Sequence, residues 1–156
     1  MRKNLLTMLC FGLFLFLVGC EKDDNNTTPA NQAYNIRGNA NSAQEVPVRV
    51  TTSAMGAISG TYNKETNLLN YTITWSALEG GNPSAMHFHG AADPGKSAGV
   101  QIPITGFTAA ASGTVSGNAT LTDVQETDMM NGLWYYNIHN ATYPGGEIRG
   151  QIFLTQ

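Results

Sequence analysis

The three histidines of this 156-residue chain lie in two short segments. Met86-His87-Phe88-His89-Gly90 sets two imidazoles two residues apart, and Tyr135-Tyr136-Asn137-Ile138-His139 carries the third. In an extended strand, residues two apart project from the same face. His87 and His89 therefore share a face, with Phe88 turned the other way. Tyr135, Asn137 and His139 share a face in the same manner, with Tyr136 and Ile138 opposite. If the two segments pair, the three imidazoles converge. Neutral imidazoles suit zinc, copper, nickel or iron, and three of them leave a coordination position open. A plainer role is open to the same residues: His87 and His89 can hydrogen-bond to turn backbone or to Asn137 and so order the loop near Gly90.

Three more charged positions could support such a centre. Asp93 follows His89 by four residues, within Asp93-Pro94-Gly95. It can hold a ligating imidazole from behind or cap its own turn. Glu147 and Arg149 share a strand face in Gly146-Glu147-Ile148-Arg149-Gly150. The expectation is structural: a planar guanidinium bonded to a carboxylate, Glu45 or Glu147, which makes partly buried charges tolerable. The chain has no dinucleotide glycine pattern, and no catalytic residue is assigned.

These segments must be positioned by a β domain. Alternation with period two recurs along the chain, broken by turn residues, whereas helical periodicity is scarce. Strands are expected at Tyr34–Asn39, Gly56–Tyr62, Leu68–Ser76, Ala85–Gly90, Val100–Thr105, Thr114–Leu121, Leu133–His139 and Glu147–Leu154. Residues 63–67 read as a hairpin loop, and Gly80-Gly81-Asn82-Pro83, Asp93-Pro94-Gly95 and Tyr143-Pro144-Gly145-Gly146 read as turns. Thr122 followed three residues later by Gln125 signals a capped helix that Gly132 ends, with Leu121, Val124, Met129 and Met130 on one side. The expectation is an all-β fold: one antiparallel sandwich or flattened barrel of about eight strands, with one short crossover helix.

The N-terminus stands apart. Arg2 and Lys3 precede an apolar run from Leu5 to Val18. That run is short for a membrane span, which needs about 20 apolar residues, and has the length of a signal-peptide core. It closes on Leu17-Val18-Gly19-Cys20, which resembles the lipobox of bacterial lipoproteins. Residues 1–19 are therefore expected to be a cleaved signal peptide, with Cys20 the lipidated new N-terminus. Residues 20–33 lack large apolar side chains and read as a disordered tether, and residues 34–156 as the folded domain. Lys22-Asp23-Asp24 resembles the surface-export signal of some Gram-negative lipoproteins, and reads equally as solvated linker. The expected location is the cell envelope, at the outer membrane, with surface exposure left open.

Composition narrows the partners. Of eight basic residues Arg2 and Lys3 leave with the signal, so six face eleven acidic ones, a formal charge of −5. No basic footprint for nucleic acid exists. Membrane attachment rests on acylation of Cys20, which holds firmly with two or more chains. Of the two cysteines, Cys10 leaves with the signal. The folded domain then has no disulfide, thiol nucleophile or thiolate ligand.

The ordered motifs resemble those of a CHRD domain, the module named after chordin. They are Gln44-Glu45-Val46-Pro47-Val48, Leu69-Asn70-Tyr71-Thr72-Ile73, Met86-His87-Phe88-His89-Gly90-Ala91, Gly132-Leu133-Trp134-Tyr135-Tyr136-Asn137-Ile138-His139-Asn140 and Tyr143-Pro144-Gly145-Gly146-Glu147-Ile148-Arg149-Gly150-Gln151-Ile152. The chain departs from the family pattern at Phe88, at Asn140 and in having only Pro47 after Glu45-Val46; none of these removes a candidate ligand. The resemblance implies a β-rich extracellular module. Two functions follow as expectations: a non-catalytic binding or structural module of the envelope, with a protein or polysaccharide partner that no residue pattern names; and, alternatively, a protein binding copper or zinc through His87, His89 and His139, with Asp93, Asn137, Glu45, Glu147 and Arg149 around it.

Overall fold

A computed structural model describes residues 32–47 and 50–156. The expected signal peptide, Cys20 and most of the tether lie outside the described residues. Nine strands form one antiparallel sheet: β1 (Ala33–Asn41), β2 (Met55–Asn63), β3 (Leu68–Ser76), β4 (Pro83–His89), β5 (Val100–Ile104), β6 (Gly113–Thr120), β7 (Tyr135–Asn140), β8 (Ile148–Gln151) and β9 (Phe153–Thr155). Their order is β5-β4-β7-β8-β1-β2-β3-β6, with β9 beside β1. The sheet curls into a nearly closed barrel, so the flattened-barrel form of the expected all-β fold is the one adopted.

Alternation dictates the two faces. In β3, Leu69, Tyr71, Ile73 and Trp75 are buried while Asn70, Thr74 and Ser76 are exposed. Strands β4 and β7 add Met86, Phe88, Tyr136 and Ile138 to the same core. Phe88 and Tyr71 meet edge to face at 5.0 Å between ring centroids, a geometry the ring quadrupoles favour. The β2–β3 hairpin turns on Asn63, whose Oδ1 accepts from the Glu65 and Thr66 N–H groups, a local bond that competes with further strand.

Two expectations need correction. The single strand expected at Glu147–Leu154 is broken at Ile152, whose N–H donates to Trp134 O. β8, before the break, pairs with β7 and, at Arg149, with β1, and β9, after it, pairs with β1. The break falls at a fully buried side chain. The helix α1 (Asp123–Met130) has the expected capping box of Thr122 and Gln125, but Val124 is 70 % exposed while Met129 is buried. At 3.6 residues per turn the two side chains lie about 140° apart, too far for one stripe. Leu121 and Met129 carry the packing instead.

Candidate metal centre

Strands β4 and β7 are neighbours, with His87 opposite Asn137, His89 opposite Tyr135 and Ala85 opposite His139. Because opposed residues share a face, the pairing collects all three imidazoles on the side of the sheet away from Phe88, Tyr136 and Ile138. Loops after β1, β4 and β7 cover this side. His89 is buried, and His87 and His139 are half-buried.

The rings converge, because the two strands pair. One ligand nitrogen from each lies within 4.8 Å of the others. His87 Nδ1 and His139 Nε2 are 3.1 Å apart, close to the separation of about 3.4 Å between two nitrogens on a tetrahedral zinc with 2.0–2.1 Å bonds. His139 Nδ1 lies 3.0 Å from Pro144 O, and His89 Nδ1 lies 3.0 Å from Ala98 O. A carbonyl only accepts, so in each neutral ring Nδ1 carries the proton and Nε2 the lone pair. Backbone carbonyls thereby select the tautomer that presents Nε2 to an ion, the role outer groups play around metal-bound imidazoles. His87 Nε2 has no hydrogen-bond partner among the described residues.

Electrostatics favour the uncharged form of two of the rings. Burial lowers the His87 pKa, and the neighbouring His89 lowers it further. Burial is also the main cause of the lowered pKa of His139, with His87 and His89 adding to it against the opposing hydrogen bond to Pro144. Neutral imidazole is the form that coordinates.

The surrounding residues divide sharply. Asn137, 3 % exposed, places its Oδ1 3.0 Å from His89 Nε2. Tyr135 stacks on His89, with centroids 4.7 Å apart and planes 2° from parallel, and its hydroxyl meets Ala98 N and O. The Arg149 guanidinium carbon lies 3.5 Å from the Tyr135 ring centre. Glu45 is 5 % exposed. Its pKa is pushed up to about 7, mainly by burial, against the pull of Arg149, the Val46 N–H and Asn137.

Asp93 is not brought to the histidines. It is exposed, and its carbonyl accepts from Lys96 N–H within the turn, as its place before Pro94-Gly95 favours. Glu147 is fully buried but belongs elsewhere: its carboxylate accepts from the Glu79 and Gly80 N–H groups and from Asn140 Nδ2. It clamps the loop after β3. The expected ion pair with Arg149 does not form with Glu147 or with Glu45. Among the described residues no carboxylate lies within 4.0 Å of Arg149, and Lys64–Glu126 is the one ion pair. Glu147 has its acceptors satisfied by backbone, and Arg149 is held by the Tyr135 face. The Ala98 and Pro144 carbonyls were not foreseen, because every residue carries such a group and only the folded loops select these two.

A scan of protein-family profiles matches the CHRD domain over residues 28–152. The chain belongs to the CHRD domain family. The match begins inside the segment read as tether and ends just before β9. Searches of curated proteins and of solved structures find no match. Both histidine segments of this CHRD domain, and the loops that cover them, fall within the matched region.

Proposed function

We propose that this CHRD-domain chain is a lipid-anchored, non-catalytic module of the cell envelope, and that its histidine face binds a transition metal, zinc or copper. The metal reading rests above all on the convergence of three imidazole nitrogens within 4.8 Å. The carbonyl-selected tautomer at His139 and the lowered pKa values of His87 and His139 support it, since both favour the neutral ring that coordinates. Three imidazoles leave further positions for water or another ligand. Export and anchoring are supported by the leader-like run to Val18 and by Leu17-Val18-Gly19-Cys20, and the family's extracellular character agrees with them.

The experiment is elemental analysis with zinc and copper titration of the full chain in detergent, beside the triple variant His87→Ala/His89→Ala/His139→Ala. The native chain should retain about one equivalent of zinc or copper, set by the single three-nitrogen cluster, and the variant none. Equal and negligible metal in both chains would leave the histidines as loop ties, with His89 bonded to Ala98 and Asn137, and would overturn the metal reading.

A further inference from the structure

Arg149 stands out once its contacts are counted. The residue is 2 % exposed, yet no carboxylate of a described residue lies within 4.0 Å of it. Its guanidinium carries five N–H donors. Stacking on Tyr135 at 3.5 Å engages the flat face and leaves the edge. The single hydrogen bond there among the described residues, Nη2–H to Gln151 Oε1, is long at 3.4 Å. Arg149 forms part of the wall of a cleft of about 230 Å³, together with Gln44, Glu45 and Gln151, and Ala43, Pro94 and Gly95 also line it. A guanidinium that lines a cleft with few of its edge donors used can take an acceptor there.

We propose that this cleft binds a small carboxylate, gripped by the edge of the Arg149 guanidinium. The planar fork of arginine matches the two oxygens of a carboxylate in a bidentate pair. Glu45 supplies the second observation. Its Oε1 is buried without a hydrogen-bond partner among the described residues. Burial holds this carboxyl up at about 7, so its neutral form is available near neutral pH. A neutral carboxyl has an O–H to donate. An acceptor-only ligand between Arg149 and a protonated Glu45 would pair with both groups at once, whereas an ammonium or a second guanidinium would meet the like charge of Arg149. The inference is separate from metal binding, since none of the three histidines lines this cleft.

The test is NMR of the full chain with labelled arginine, following the Arg149 Nε–H signal as sodium acetate is added against sodium chloride at matched ionic strength. Acetate should give a saturating shift at Arg149, and chloride should not. Arg149→Gln should weaken acetate binding by at least about tenfold, the worth of one charge-assisted hydrogen bond. That variant removes a buried side chain, so Ala43→Phe provides a second route. Ala43 is exposed on the cleft wall, and a ring placed there should occlude the cleft and reduce acetate binding without entering the core. An acetate response at Arg149 that matches chloride, or one that Ala43→Phe leaves unchanged, would overturn the proposal.

Discussion

Replacing Glu45 by glutamine tests the electrostatics of the buried face directly. Glutamine keeps the shape and removes the titration. The Glu45 carboxyl sits at about 7 in the folded chain against an ordinary 4.5. Because its folded pKa is raised, its contribution to stability is fully present below about pH 4.5, is lost as pH rises through the interval, and is flat above about 7. Each unit is worth about 1.4 kcal/mol, so the native chain should lose roughly 3 kcal/mol relative to Glu45→Gln between pH 4.5 and 7. The histidines work in the opposite sense. The lowered pKa values of His87 and His139 make the fold gain stability as pH rises towards the unfolded value of 6.5, but that gain is common to both chains and cancels in the difference. The assay is urea unfolding of both proteins across this range, read as the difference in unfolding free energy. Parallel curves would refute the reasoning, since Glu45 would then titrate alike folded and unfolded. A difference growing in the native chain's favour with pH would show that Arg149 outweighs burial.

Three further outcomes follow from named contacts. Glu147→Ala should destabilise the fold by about 3 kcal/mol or more, because the Glu79 and Gly80 N–H groups and the Asn140 amide lose their acceptor in a buried place; an unchanged denaturation midpoint would contradict the clamp. Gly146→Ala should cost at least about 2 kcal/mol, since φ is +122° and the added Cβ would overlap the Glu45 carboxyl; pairing it with Glu45→Gly should recover part of the loss if that overlap is the cause. Cys20→Ala should release the chain from the membrane fraction and abolish incorporation of labelled palmitate; membrane retention with normal processing would contradict lipid anchoring.

Much of the fold could be read from alternation alone, because a strand with one buried face must place every second side chain inward. Phe88 between His87 and His89, and Ile138 before His139, declared which way the imidazoles point before any contact was known. Where alternation ran on too long, at Glu147–Leu154, it concealed the break at Ile152, because the pattern records which face is buried and not which strands lie beside it. Val124 misled for a related reason: its apolarity is a property of the residue, whereas its exposure follows from the 3.6-residue turn that carries it away from Met129.

The sequence by itself determined the chemical inventory: three imidazoles, the faces they share with Asn137 and Tyr135, and a domain whose cysteine-free residues leave no thiol chemistry. It did not determine that the inventory meets. His87 and His139 are 52 residues apart, and only the placement of β7 between β4 and β8 brings their nitrogens to 3.1 Å. The tertiary structure also chose the carbonyls of Ala98 and Pro144 as partners of the rings, sent Glu147 to the loop after β3, and left Arg149 beside a cleft with no carboxylate of a described residue within 4.0 Å. Local pattern reflects burial, which each residue's own chemistry dictates. Pairing across the sheet depends on the order of strands, which no short stretch of chain encodes.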